Sequence, residues 1–364
     1  MDITALFKAE GTHLFWARFD DKRVVGRPTG QAFEQDRSYV VVRLAEMYLG
    51  RSRTLWRKFS PLLHAFTSYD GDKQEEHAVV GPGQLQELGE ANLDRVIVLN
   101  TRVAGPTPYR GGEVSVLVGL YSVPREDAAA ALISTVGALA GVAGGAAATA
   151  GQLLQLVKSG VDSILGLGST KLCLGVRDTF GVGNPLRTGF HVGIGAPESD
   201  VPTDRLWLRD GRLIAGPTPP AGSAYTGHDY FVLQLEAPDR RVDWPGLPGL
   251  SEFEGRFSEV LKDSNRDPAA KRVELGRLWP EFTEALRTSP HLTRYDAGQI
   301  ANDVESDLKA RLKAIDEGNP FETRAWGAEQ AKPRPPEALD FAEIPQYGKG
   351  QPEVGERALA QAQF

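Results

Sequence analysis

The stretch RLWLRDGRLIAG, residues 205–216, contains the pattern from which the fold prediction starts. Alternating apolar runs lie on both sides of Asp210 and Gly211, as they do in strands with one buried face. Asp-Gly is a favoured pair for a two-residue hairpin, because both positions of that turn require positive φ. The stretch therefore predicts two short antiparallel strands joined by a tight turn.

Stretches of β-branched and alternating apolar residues on either side of this hairpin predict further strands. They are SYVVVRLAEMYL (38–49), with Val40, Val42 and Leu44 on one face, DRVIVLN (94–100), EVSVLVGLY (113–121), with Val114, Val116, Val118 and Leu120 on one face, KLCLGV (171–176), GFHVGIG (189–195) and YFVLQLE (230–236). GPTPYRGG (105–112) has the composition of a loop. Since turns separate most of these strands, we expect an antiparallel β-sandwich.

Three helices are predicted after residue 240. Ser251 and Glu254 resemble a capping box, and Pro268 suits the first turn of a second helix. The third helix, from about Ala297 to Ile315, repeats an apolar residue at every fourth position: Ile300, Val304, Leu308 and Leu312. From Asn319 onward, prolines lie among polar residues without periodicity, which predicts a mostly irregular or disordered tail.

A helical hairpin is predicted within the strand region. Residues 128–157 contain no charge and are rich in alanine and glycine. Gly137, Gly141 and Gly145 are four residues apart, so on a helix they would form a groove that admits another backbone. Gly144 and Gly145 favour a break between two arms of about 25 to 30 Å each. Leu153 and Val157 lie on the apolar face of the second arm.

The predicted fold class is therefore β-rich α+β. We expect a β-sandwich over residues 1–240 with a Gly/Ala-rich helical hairpin inserted at about 126–165. A helical region over 241–318 and the tail over 319–364 follow. Whether residues 1–37 belong to the same sandwich stays open.

The hydropathy of the hairpin leaves two roles open. Its first nineteen uncharged positions include five large aliphatic residues, which contribute roughly −2 kcal/mol to membrane insertion before polar residues and glycines are counted against them. Permanent insertion is therefore marginal. The hairpin could pack on the sandwich or on a protein partner, or it could enter a membrane on activation.

Composition points to a protein of the cytoplasm that does not bind nucleic acid. The formal net charge is −7 and the pI is near 5.5, whereas phosphate backbones attract basic proteins. Cys173 is the single cysteine, and the first twenty residues lack the apolar core of a secretory signal. Membrane association on activation remains an alternative.

One basic stretch, RSRTLWRK (51–58), could contact an acidic partner or an anionic membrane surface. A charged loop after a strand is the alternative interpretation. The candidate binding residues in this stretch are Arg51, Arg53, Trp56, Arg57 and Lys58.

Catalytic and metal-binding patterns are weak. His191 and His228, together with Asp178 or Asp229 and Ser223, could form a hydrolytic triad, although histidines on strands are more often structural. In YDGDKQEEH (69–77), a calcium ion could be held by acidic side chains, although a solvated hairpin tip is the favoured interpretation. The candidate ligands there are Asp70, Asp72 and Glu75, with Glu76 and His77 beside them.

These observations give three functional hypotheses and predict no cofactor. The first is a non-enzymatic module that binds a protein partner through the hairpin groove and sheet edges. The second is a conditional membrane-inserting effector that releases the hairpin into a bilayer. The third, a hydrolase that uses the region of His191 and His228, ranks below both.

Overall fold

The computed structural model describes residues 14–26, 29–50, 59–71, 74–81, 96–124 and 171–317. It divides into two compact units, which are residues 1–35 with 40–237 and residues 36–39 with 238–364. The described residues form a mixed α+β structure with three antiparallel-rich sheets and three α-helices, so the coarse fold class is confirmed. The predicted hairpin at about 126–165 and tail at 319–364 lie outside the described residues.

The first unit contains the strands of the described residues, except for Tyr39, the first residue of β3, which belongs to the second unit. They are β1 (Phe15–Phe19), β2 (Val24–Val25), β3 (Tyr39–Tyr48), β4 (Phe59–Tyr69), β5 (Gln74–Val80), β6 (Val96–Pro108), β7 (Val114–Pro124), β8 (Lys171–Phe180), β9 (Gly189–Ile194), β10 (Leu206–Arg209), β11 (Arg212–Ala215), β12 (Ser223–Ala224) and β13 (Tyr230–Glu236). The first sheet has the order β1-β9-β13-β3-β6, the second β5-β4-β7-β8 and the third β12-β11-β10-β2.

The first and second sheets share one hydrophobic core. The predicted alternation of β7 is confirmed, because Val114, Val116, Val118 and Leu120 all lie in this core. It also includes Val40, Val42, Leu44 and Met47 of β3, Leu63, Ala65 and Tyr69 of β4, and Phe231, Leu233 and Leu235 of β13. Apolar burial between these two sheets is the main stabilising contribution to the unit.

Strand β3 is buried on both faces. The sequence pattern had placed Val40, Val42 and Leu44 on one face and identified no second buried face. The register of β3 with β13 shifts, since Val232 pairs with Glu46 and Leu233 pairs with Leu44. Ala45 is the extra residue of this bulge, which reverses the side-chain phase along the strand. Tyr48 therefore joins a second core, between the first and third sheets.

The predicted Asp210-Gly211 hairpin is confirmed. Strands β10 and β11 pair antiparallel, with Arg209 opposite Arg212 across the turn. Asp210 has φ 54° and Gly211 has φ 77°, so both turn residues are left-handed, as this type of two-residue hairpin requires. Local turn chemistry thus determines the register of the third sheet.

The prediction of a loop over residues 105–112 is wrong for its first half. Strand β6 continues through Pro108, and the turn to β7 follows it. The Glu76 carboxylate on β5 accepts hydrogen bonds from the Gly105 amide, at 2.7 Å, and from the Thr107 hydroxyl. This tertiary partner outweighs the loop-like composition of the segment.

The second unit contains the helices α1 (Ser251–Lys262), α2 (Pro268–Thr288) and α3 (Arg294–Asp316). The predicted capping box of α1 is wrong, because Leu250 is its N-cap and no side-chain cap bond forms. Asp267 and Thr293 cap α2 and α3 by accepting from backbone amides. The shared core of the helices includes Phe253, Phe257, Leu275, Phe282 and the predicted series Ile300, Val304, Leu308 and Leu312.

A buried carboxylate stabilises the start of α3. The Asp296 side chain accepts hydrogen bonds from the Tyr39 hydroxyl at 2.7 Å and from the Arg241 amide at 2.8 Å. The Arg240 guanidinium lies 3.1 Å from its other oxygen. Burial raises the pKa of Asp296 to about 6, while the Tyr39 bond and Arg240 act in the opposite direction.

Candidate functional site

His191 lies in an aromatic pocket inside the core of the first unit. Its ring stacks on Trp16, with centroids 5.3 Å apart, and meets Phe180 edge-on at 5.2 Å. Neither ring nitrogen has a hydrogen-bond partner among the described residues. Burial, with a smaller contribution from Arg18, lowers the pKa of His191 to about 3. A neutral, enclosed imidazole of this kind contributes packing rather than proton transfer to a solvent-exposed substrate.

The other residues of the suggested triad lie apart from His191. His228 Nδ1 is 2.8 Å from the Tyr225 hydroxyl, and Tyr225 belongs to the core on the opposite face of the first sheet. Asp178 accepts a hydrogen bond from Trp16 Nε1 at 2.9 Å, so it holds the ring that stacks on His191. The structure thus links Asp178 to His191 through Trp16 and leaves His228 in a different cluster.

The candidate calcium ligands occupy a β-hairpin. Strands β4 and β5 pair up to Tyr69 and Gln74, and the exposed Asp70 follows β4. Glu75 lies on β5, where burial raises its pKa, whereas Asp72 lies outside the described residues. No group of three potential ligands forms a metal site in the part of the chain that is described.

Glu46 is a buried carboxylate that the sequence patterns did not single out. Its Oε2 atom accepts a hydrogen bond from the Leu213 amide at 2.7 Å, which joins β3 to β11. Burial raises the pKa of Glu46 to about 7, and the Leu213 bond opposes this effect. Glu46 follows the bulge residue Ala45, so its inward orientation depends on a feature that alternation does not predict.

The outer face of the second sheet, opposite the shared core, is apolar and buried over part of its length, and Ser68, Glu75 and Ser115 towards its other end are half-buried. It consists of the β4, β5 and β7 side chains that alternate with the core residues of the same strands. Its apolar residues below one tenth exposure are Leu62, Phe66, Val79, Tyr121 and Val123. None of these residues belongs to a hydrophobic cluster of the described residues.

Two histidines lie in the middle of this outer face. The rings of His64 and His77 are nearly parallel, with centroids 6.2 Å apart, and His77 contacts Phe66 at 4.7 Å. His64 is 0% exposed, and neither of its ring nitrogens has a hydrogen-bond partner among the described residues. Burial, followed by the charge of His77, lowers the pKa of His64 to about 4. The sequence patterns did not identify either histidine as part of a buried face.

The chain leaves and re-enters the second sheet at one end of this face. Strand β7 ends at Pro124 and β8 begins at Lys171, and these adjacent strands pair with Ser122 opposite Lys171. The described residues on either side of residues 125–170 therefore lie at neighbouring positions of the sheet.

All the sequence-predicted binding residues lie outside the described residues. They are Gly137, Gly141, Gly145, Leu153 and Val157 of the hairpin, and Arg51, Arg53, Trp56, Arg57 and Lys58 of the basic stretch. Among the helices that are described, none is long and apolar enough to cross a bilayer.

Comparison of the chain with protein-family models, with curated proteins and with solved structures gives no match.

Proposed function

We propose that the chain is a non-enzymatic protein-binding module. The segment at about 126–165 and the neighbouring edge of the second sheet form its binding surface. We interpret the two sheets that share a core as a sandwich from which this segment extends. The supporting observation is the pairing of Ser122 with Lys171, because it brings both ends of the segment to the edge of one sheet.

Strand β8 supplies the second part of this surface. It is the outermost strand of the second sheet, and within the described residues it has a strand neighbour on one side. An edge strand presents unpaired N–H and C=O groups to which an extended partner segment can bind. Its ten residues are long enough for such pairing, and the predicted glycine groove would begin beside it.

The test is a direct affinity measurement. Proteins crosslinked to the tagged chain in cells of its source would be identified and purified, and each would be titrated against the chain by calorimetry. We expect Gly141→Arg to weaken binding about tenfold or more, because an arginine would fill the groove. Gly151→Arg is the matched control, since Gly151 does not share the four-residue spacing, and its affinity should stay near that of the wild type.

Equal affinity for the wild type and Gly141→Arg would contradict the proposal. The membrane hypothesis gives a different result in a second assay, the release of dye from anionic liposomes by the purified chain. Release by the wild type but not by Gly141→Arg would favour a membrane effector over a protein-binding module.

A further inference from the structure

We infer that the protonation state of Glu46 controls how firmly the third sheet is attached to the first sheet. With the side chain protonated the two sheets stay together, and ionisation of the side chain loosens the third sheet. The inference concerns the first unit alone, and it holds whether or not the proposed function is correct.

The position of Glu46 is the first argument. The bulge at Ala45 turns Glu46 into the core between the first and third sheets, where it lies opposite Val232. Glu46 is 1% exposed. Its carboxyl group is therefore out of contact with water as long as the third sheet is in place.

The hydrogen bonds of Glu46 are too few for a buried charge. The Leu213 amide of β11 donates to Oε2 at 2.7 Å, which links Glu46 to the third sheet. Oε1 has no hydrogen-bond partner among the described residues, and neither has the nearby Tyr230 hydroxyl. A buried carboxylate that stays ionised usually accepts about two or three hydrogen bonds, whereas burial without them favours the neutral form.

Charged side chains do not replace the missing donors. No cation of the described residues is paired with Glu46. Asp210 and Arg212, at the turn between β10 and β11, are exposed, so water and salt screen their charges. Arg43, on the same face of β3, is paired with Glu236 at 2.9 Å.

The remaining titratable groups near Glu46 are tyrosines and one histidine. Tyr230 of β13 stacks on Tyr48 of β3, with centroids 5.4 Å apart, and contacts Tyr225 at 5.7 Å. The Tyr225 hydroxyl lies 2.8 Å from His228 Nδ1. The side chains that β1, β2, β9 and β10 contribute to this core are apolar. The surroundings of Glu46 thus favour its neutral form.

The direction of the effect follows from proton binding. Burial raises the pKa of Glu46 to about 7, while the Leu213 hydrogen bond, the Tyr230 hydroxyl and Arg212 act in the opposite direction. When the third sheet opens, the carboxyl group returns to water and to its ordinary pKa of 4.5. The closed form therefore binds more protons between these two values, and its advantage is lost as the pH rises towards 7. Raising the pH from 5 to 8 should increase opening about 50- to 100-fold.

Hydrogen exchange of the full chain at pH 5 and pH 8 tests the inference. Peptides from β10 and β11 report on the third sheet, and comparison with an unstructured peptide at the same pH gives their protection factor. The protection factor at pH 5 relative to that at pH 8 should be about 50- to 100-fold larger in the wild type than in Glu46→Gln. Glutamine keeps the size of the side chain and an oxygen that accepts from Leu213, but it does not ionise.

Glu236→Gln is the matched control, because Glu236 is a half-buried carboxylate paired with Arg43. Its protection ratio should stay near that of the wild type. Equal ratios in the wild type and Glu46→Gln would overturn the inference. Equal protection of β7, β10 and β11 in the wild type at pH 8 would also overturn it, because the third sheet would then open only when the whole unit unfolds.

A second measurement needs no substitution. In the wild type, the protection of β10 and β11 should fall as the pH rises from 4.5, and it should level off above about 7, where Glu46 is ionised in the closed form. A flat profile would overturn the inference even if Glu46→Gln failed to fold. Since no binding partner is present, both measurements are separate from the affinity test of the proposed function.

Discussion

Replacing His191 by phenylalanine should remove a defined part of the acid sensitivity of the first unit. His191 is 4% exposed and is enclosed by Trp16 and Phe180. Its ring nitrogens have no hydrogen-bond partner among the described residues, and burial lowers its pKa to about 3. Phenylalanine keeps an aromatic ring in the pocket and does not titrate.

The sign follows from proton binding. Because the pKa of His191 is lower in the folded protein than the value of about 6.5 in an unfolded chain, the unfolded state binds more protons between these values. Its contribution to stability is therefore complete above pH 6.5 and declines as the pH falls towards 3. At pH 5, which is about 1.5 units below the pKa in the unfolded chain, the protein has lost about 1.4 kcal/mol of stability for each unit, or about 2 kcal/mol in total.

Urea unfolding at pH 7.5 and pH 5.0 measures this contribution. Hydrogen exchange of peptides from β9 and β13 would report on the first unit, with each rate corrected for the pH dependence of an unstructured peptide. We expect the stability difference between the two pH values to be about 2 kcal/mol smaller in His191→Phe than in the wild type. Glu46, whose raised pKa of about 7 acts in the opposite sense, is present in both proteins and cancels.

Phe180→Leu is the control for packing, because it alters the same pocket and leaves His191 in place. Its free energy of unfolding should change by a similar amount at both pH values. An unchanged pH dependence in His191→Phe would refute the reasoning, since His191 would then not be a neutral buried group in the folded protein.

Three further substitutions test local features. Gly211→Ala should lower the free energy of unfolding by about 1 to 2 kcal/mol in urea, because φ is 77°, whereas Asp210→Gly should be nearly neutral. Tyr39→Phe should lower the free energy of unfolding by about 1 to 3 kcal/mol, because Asp296 would lose its hydroxyl donor. An unchanged unfolding midpoint, followed by helical circular dichroism, would contradict that hydrogen bond. Gly119→Ala should destabilise by about 1 to 3 kcal/mol, because its Cβ would lie 2.8 Å from the Tyr121 hydroxyl. Tyr121→Leu in the same chain should reduce that cost.

The elements that the sequence predicted correctly are those determined by local chemistry. Asp210 and Gly211 select a turn whose geometry needs no distant partner. Over residues 114–118 of β7, alternation follows from one buried and one half-buried set of side chains, whereas both sets are buried over residues 119–121. Capping was less predictable, because Ser251 follows the N-cap Leu250 instead of occupying it.

Features that depend on tertiary partners were not predictable. The extension of β6 through Pro108 relies on Glu76, which is distant in sequence. The second buried face of β3 relies on the bulge at Ala45. For His191, the prediction of a strand over residues 189–195 was correct, but it did not indicate that both faces of β9 are buried.

The missed strand β4 provides the most informative case. FSPLLHAFTSY, residues 59–69, shows no clear alternation of polar and apolar residues, and nearly every position is buried. A strand with a solvated face alternates, whereas a strand covered on both faces has a continuous apolar run. The absence of periodicity around His64 thus follows from burial on both faces of β4.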